Sequence, residues 1–126
     1  MKTLSGLDGL FLHLETPATP MHVGSLSLLE LPANHRGNFC KSVQRHYARR
    51  LPLVPVLCRK LAAMPLQLAN PAWVQADDVD MKYHVQRVVL PRPGTQAQLE
   101  ECVGRLHSIL LDRTRPLWMV YIIEGL

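Results

Sequence analysis

A chain of 126 residues has room for one modest hydrophobic core and not for two. Hydrophobic residues make up 48%, charged residues 19% and aromatics 6%, a globular balance that excludes an intrinsically disordered chain. Ten prolines against seven glycines divide the chain into short elements, which excludes a coiled coil or a bundle of long helices. The formal net charge is +4, but its distribution is uneven. No Asp or Glu lies between Glu30 and Asp77, a stretch that holds Arg36, Lys41, Arg45, Arg49, Arg50, Arg59 and Lys60, seven of the fourteen basic residues. Such a field attracts phosphates, anionic lipid head groups or nucleic acid, and it equally describes a solvated basic helix face.

In chain order, Leu7, Leu10, Phe11 and Leu14 have helical spacing in an opening segment closed by Pro17 and Pro20. Residues 21–31 (Met-His-Val-Gly-Ser-Leu-Ser-Leu-Leu-Glu-Leu) have strand character and stop at Pro32, predicting a first strand. A helix is predicted over 38–51, with Asn38 as N-cap and Phe39, Val43, Tyr47 and Leu51 on one face. Lys41, Arg45, Arg49 and Arg50 occupy its other face. Further strands are predicted over 56–63, 73–76 and 83–91, the last rich in valine. Thr95-Gln96-Ala97-Gln98 fits a capping box at the start of a helix lined by Leu99, Val103, Leu106 and Leu110. Residues 117–123 are apolar at every position, the pattern of a strand buried on both faces. The β-α-β-β-β-α-β order predicts an α/β two-layer sandwich with a mixed sheet.

Cys40, Cys58 and Cys102 are odd in number and outside any CxxC pairing, so they read as buried reduced thiols. No signal-peptide core is present, because Ser5, Asp8 and Gly9 interrupt the leucines near the start. The charge-free run 61–76 contains Pro65, Gln67, Asn70, Pro71 and Gln75 and makes a poor bilayer span. These features point to a cytoplasmic protein, soluble or peripheral to a membrane.

Acid–base or nucleophilic catalysis needs a base held against a nucleophile or a second titrating group. His13, His22, His35, His46, His84 and His107 include no adjacent pair and no HExxH spacing, so no metal site is expected. His22 and His84 read as hydrogen-bonded structural histidines, and His46 and His107 as polar-face residues of helices. Asp77, Asp78 and Asp80 lack the glycine and terminal glutamate of a calcium loop and read as a solvated turn. The basic helix lacks aromatic interleaving, so no specific nucleic-acid binding is expected.

A resemblance spans nearly the whole chain. Leu4-Ser5-Gly6-Leu7-Asp8, Phe11-Leu12-His13-Leu14-Glu15 and Pro20-Met21-His22-Val23-Gly24 are followed by Asn70-Pro71-Ala72-Trp73-Val74 and Asp80-Met81-Lys82-Tyr83-His84-Val85. Then come Leu90-Pro91-Arg92-Pro93-Gly94 and, most specific, Leu111-Asp112-Arg113-Thr114-Arg115-Pro116-Leu117-Trp118 leading to Ile123-Glu124-Gly125-Leu126. In this order they resemble the first part of the wax ester synthase/acyl-CoA:diacylglycerol acyltransferase family, bacterial type.

The resemblance implies a fold like that of chloramphenicol acetyltransferase, a CoA-dependent acyltransferase with α/β halves flanking a tunnel. It implies acyl-CoA as co-substrate, no separate cofactor, and a diacylglycerol or long-chain alcohol as acceptor. In that family a histidine of an HHxxxDG motif is the general base. This sequence has no His-His pair, and residues 1–126 are read as the N-terminal portion of the acyltransferase domain, ending before that motif. No catalytic residue is therefore assigned, and the chain is expected to be inactive alone.

Pro116, Leu117 and Trp118 form the family's Pro-Leu-Trp element, read as structural support beside the active site. Arg45, Arg49 and Arg50 are candidates for contact with an anionic membrane or lipid-droplet surface. The rival reading is a non-catalytic lipid- or acyl-binding module that self-associates as a homo-oligomer through an exposed sheet.

Overall fold

The computed structural model describes residues 2–62 and 71–126. Helix α1 (Gly6–Leu14) starts where the Ser5 hydroxyl accepts the Asp8 N–H at 3.1 Å. Helix α2 (Phe39–Arg50) is capped by Asn38, whose side chain accepts the Lys41 N–H. Pro52 and Pro55 convert its continuation into two 3₁₀ turns, Leu51–Leu53 and Pro55–Cys58, because neither proline can donate to a helical ladder. A one-turn helix α3 (Met81–His84) precedes β4, and α4 (Gln96–His107) opens with the predicted capping box in full, Thr95 and Gln98 satisfying each other's backbone N–H.

The strands form two sheets among the described residues. β1 (Lys2–Thr3), β2 (Arg59–Ala62) and β3 (Ala72–Gln75) make an antiparallel sheet in the order β1-β3-β2, with Leu61 opposite Trp73. β4 (Val85–Val89) and β5 (Val120–Glu124) pair in parallel, Val85 opposite Val120 and Val89 opposite Glu124. Parallel pairing demands a long crossover, and α4 supplies it. Leu90, Leu99 and Cys102 form the core of this β4-α4-β5 unit, with Val88, Val103, Leu106 and Ile123 packed around them. Helix α2 is tied to the same unit where the Gln44 amide donates to the Val85 carbonyl at 2.8 Å.

The predicted α/β character holds, with parallel and antiparallel pairings in separate sheets. Four strand expectations need correction. In the strand predicted over 83–91, Tyr83 and His84 instead end the one-turn helix α3, and β4 runs only from Val85 to Val89. Residues 21–31 form no β-bridge and are largely exposed, with Val23 97% and Leu29 78% accessible. Strand propensity makes a ladder only with a paired neighbour, and no described strand is hydrogen-bonded to this segment. The apolar run 117–123 is a strand only from Val120, and all five β5 residues are half-buried rather than covered on both faces. Its first residues are diverted because the Trp118 N–H bonds the Pro116 carbonyl in a tight turn. The strand predicted over 56–63 begins only at Arg59, after a 3₁₀ turn, and Ala63 lies outside the described residues.

All three cysteines are free and buried, as expected. Asp77, Asp78 and Asp80 are exposed, Asp80 serving as the N-cap of α3. No cluster among the described residues could hold a metal ion, and no helix among them is long and apolar enough to cross a membrane.

Candidate functional site

The segment Asp112–Trp118 fastens much of the molecule together. At its start the Asp112 carboxylate accepts both the N–H and the hydroxyl of Thr114, at 2.9 and 2.7 Å. These bonds hold the Asp112 carboxyl below its ordinary pKa. The turn projects Arg113 and Arg115 towards other parts of the fold. Arg113 donates to the Leu12 carbonyl at 2.7 Å and to Glu15 at 3.1 Å, joining residue 113 to the C-terminal end of α1. Arg115 lies over the Tyr83 ring, 4.0 Å from its centroid, and pairs with Asp112.

Glu15 is the centre of the first junction. Burial alone would raise its carboxyl, but the Met21 N–H at 3.0 Å and the Arg113 hydrogen bond and charge outweigh it, with His22 adding to them, so the pKa falls below the ordinary value. On the far side the His22 ring reaches the His107 carbonyl at 2.7 Å and meets the His107 ring edge-on. Gly24 passes so close to His107 that a Cβ there would stand 3.0 Å from the imidazole, which explains a glycine at this point of the chain.

Pro116, Leu117 and Trp118 make the second junction. Pro116 is buried, and the Trp118 indole N–H donates to the Leu57 carbonyl at 3.0 Å. The indole is stacked between Tyr47 of α2, 5.7 Å away between centroids, and His84, 4.4 Å away. The His84 Nδ1–H donates to the Trp118 carbonyl at 2.8 Å, and a carbonyl can only accept, so the proton is on Nδ1. Its Nε2 is buried without a hydrogen-bond partner beside a small polar recess lined by Lys60, Asp78, Asp80, Thr114 and Arg115. His84 is 1% exposed, and burial pushes its pKa down; the Trp118 bond opposes that shift and the Arg115 charge adds to it.

Both junctions border one open concavity of about 1380 Å³, lined chiefly by apolar groups such as Leu12, Met21, Val43, Val103, Leu106 and Trp118. The concavity is suited to an apolar chain, which needs displaced water more than specific partners. It holds no paired nucleophile and base among the described residues.

Pro116, Leu117 and Trp118 thus share one site with Tyr47, Tyr83, His84 and Arg115, while Arg45, Arg49 and Arg50 are exposed on α2 outside it. Arg45 and Arg49, each two positions from Tyr47, lie roughly half a turn round the helix from the stack. His22 and His84 are the hydrogen-bonded structural histidines expected, and His46 and His107 are exposed. The Glu15–Arg113 pair and the Tyr47–Trp118–His84 stack were not legible as sites. Their members are up to 98 residues apart, and no local spacing reports such contacts.

Residues 4–126 match the family model described as the wax ester synthase/diacylglycerol acyltransferase catalytic domain. The chain is 42% identical over 123 residues to the probable diacylglycerol O-acyltransferase tgs3 of Mycobacterium tuberculosis, covering 98% of this chain and 45% of that protein. It is 40% identical to the probable diacylglycerol O-acyltransferase tgs2 of the same species, covering 94% of this chain and 26% of that protein. A solved wax ester synthase/diacylglycerol acyltransferase from Marinobacter aquaeolei VT8 superposes with a TM-score of 0.83 at 33% identity, over 100% of this chain and 30% of its own. The chain therefore spans less than half the length of these relatives, and over that span it has their α/β acyltransferase fold. It belongs to the wax ester synthase/diacylglycerol acyltransferase family.

Proposed function

We propose that the chain is the N-terminal part of an acyl-CoA-dependent O-acyltransferase that makes triacylglycerol or wax esters. The observation that carries this reading is the apolar concavity, which the family-motif residues Glu15, His22, Arg113 and Trp118 border from different elements. In the reaction implied, an acceptor hydroxyl gives its proton to a histidine base and its oxygen adds to the acyl-CoA thioester carbonyl. The carbonyl re-forms, the acyl–sulfur bond breaks, and CoA leaves as the thiol after taking up the proton. The donors that would stabilise the intermediate oxyanion belong with that histidine.

This chain has no His-His pair and supplies a wall of the site instead of its base. Pro116, Leu117 and Trp118 act as support, the stacked indole fixing where β5 begins. Arg45, Arg49 and Arg50 form an exposed basic face for an anionic membrane or droplet surface, consistent with a cytoplasmic, peripheral location. Purified 126-residue protein given radiolabelled acyl-CoA and diacylglycerol is expected to show no turnover above an enzyme-free control. Clear turnover would refute the assignment of the base to residues outside this chain.

The rival is a non-catalytic acyl-binding module that forms homo-oligomers, favoured by the exposure of Val23, Leu28 and Leu29. Sedimentation at high concentration separates the two, because the rival requires a discrete oligomer.

A further inference from the structure

Between α2 and β2 the chain makes two 3₁₀ turns, and residues 52–56 (Pro-Leu-Val-Pro-Val) are all apolar and all exposed. Leu53 is 76%, Val56 53% and Val54 38% accessible. The tip is held in one shape from inside. The Val54 N–H bonds the Leu51 carbonyl at 2.9 Å, and the Leu57 N–H bonds the Val54 carbonyl at 3.0 Å. The buried Cys58 thiol donates to the Leu51 carbonyl at 3.4 Å, and the Trp118 indole N–H holds the Leu57 carbonyl.

Arg49 and Arg50 immediately precede these turns at the end of α2, with Arg45 about one turn earlier, and all three are exposed. None of them forms a salt bridge with a described residue. No Asp or Glu lies between Glu30 and Asp77 to neutralise them locally. Lys60 borders the recess that Asp78 and Asp80 also line, so it is not counted with them.

What would cover this tip is decided by what the tip lacks. Pro52 and Pro55 carry no N–H, and the N–H groups of Val54 and Leu57 are already bonded, so few main-chain donors are left for a partner strand. Lipid makes the opposite demand, because acyl chains offer no acceptor to an unbonded N–H. A protein surface closing over the tip would have to pair or desolvate the neighbouring arginines. Anionic head groups meet those arginines at the depth where apolar side chains enter the acyl region.

We propose that residues 52–56 are an insertion tip for an anionic phospholipid surface. Leu53, Val54 and Val56 enter the boundary between head groups and acyl chains, and Arg45, Arg49 and Arg50 bind the head groups around them. The proposal rests on the reading above that these arginines meet an anionic surface, and it adds the apolar element that anchors the protein there.

Co-sedimentation of the 126-residue chain with vesicles tests it, using phosphatidylcholine with about 30% phosphatidylglycerol against phosphatidylcholine alone. The parent should bind the anionic vesicles at least about tenfold more tightly. Leu53→Ser with Val56→Ser should weaken that binding by about tenfold or more without changing its dependence on salt, because it removes apolar area and no charge. Arg49→Gln with Arg50→Gln should also weaken it by about tenfold, but should flatten the salt dependence between about 0.05 and 0.2 M. Leu53→Trp should bind at least as tightly as the parent, since indole favours the interface. Val23→Ser with Leu29→Ser removes exposed apolar area from the concavity and should leave binding unchanged. Every substituted side chain is exposed, and melting curves that coincide with the parent's check that each variant is folded.

Binding that survives the Leu53 and Val56 substitutions undiminished overturns the insertion tip and leaves the basic face standing. Binding lost with Val23 and Leu29 instead puts the lipid at the concavity and overturns the tip as well. So does a lipid-free oligomer that the Leu53 and Val56 substitutions dissolve, which would make a second copy the occupant. A parent indifferent to anionic vesicles overturns both the tip and the peripheral reading. None of these results bears on acyl transfer, which is assayed separately.

Discussion

The His84 imidazole donates to the main-chain carbonyl of Trp118 at 2.8 Å while lying 4.4 Å from the indole of the same residue. One side chain thus holds both the backbone and the ring of Trp118. Two contacts to one residue set its position and its orientation together, and β5 begins two residues later.

Replacing His84 separates these contacts. His84→Phe keeps a flat ring against the indole but leaves the Trp118 carbonyl without its donor, at a cost of about 1–3 kcal/mol. His84→Ala also removes the stacked ring and should cost about 1–2 kcal/mol more. Urea unfolding of both variants checks the order, with Trp118 fluorescence in a Trp73→Phe background reporting the local change. Equal stability of His84→Phe and the parent would contradict the role given to the Nδ1–H bond.

Stability should also depend on pH through His84. Its native pKa lies below the ordinary value of 6.5 because burial disfavours the imidazolium. On acidification the unfolded chain therefore binds a proton before the native protein does. The contribution is fully present above pH 6.5 and is lost as pH falls through the lowered native pKa. All other side chains are the same in both proteins, so the difference between parent and His84→Phe isolates this group: the parent should lose more stability than the variant between pH 8 and pH 5. Identical pH slopes would contradict the neutral buried state.

The Glu15–Arg113 pair should couple measurably although Arg113 is 44% exposed, because the Glu15 side chain is only 10% exposed and is fixed by the Met21 N–H. A double-mutant cycle with Glu15→Gln and Arg113→Ala should give a coupling of about 0.5–1 kcal/mol after allowance for screening. Arg113→Ala should also increase exchange at the C-terminal end of α1, since its bond to the Leu12 carbonyl is lost. As the native Glu15 pKa is lowered, the pair's stabilisation is present above the ordinary value of 4.5 and disappears as pH falls through the native value.

Gly94→Ala should be among the most damaging single-methyl changes. Gly94 has φ +76°, and a Cβ there would overlap the Gly125 carbonyl oxygen. Backbone strain and collision with main chain add, for a loss of about 2–4 kcal/mol. Gly6→Ala, at a position where a Cβ meets nothing within 4 Å, serves as the control and should be neutral or slightly stabilising. Thermal unfolding of the two variants side by side checks the contrast.

The sequence by itself determined the features written in local chemistry. The Asn38 and Thr95 caps, the proline stops after α2, the face of α4 and the three buried thiols follow from neighbouring side chains and backbone donors. The ordered motifs from Leu4 to Trp118 also identified the family without any contact being known. Tertiary structure decided what depends on a partner far along the chain. It left residues 21–31 without a ladder, because strand propensity without a paired neighbour forms no ladder. It began β5 at Val120 and not Leu117, because the Trp118 N–H turns back to Pro116. It joined Arg113 to Glu15 and stacked Trp118 between Tyr47 and His84, contacts that cross 98, 71 and 34 positions of sequence. Caps and stops are satisfied within a few residues, whereas edges and stacks exist only once the chain has folded back on itself.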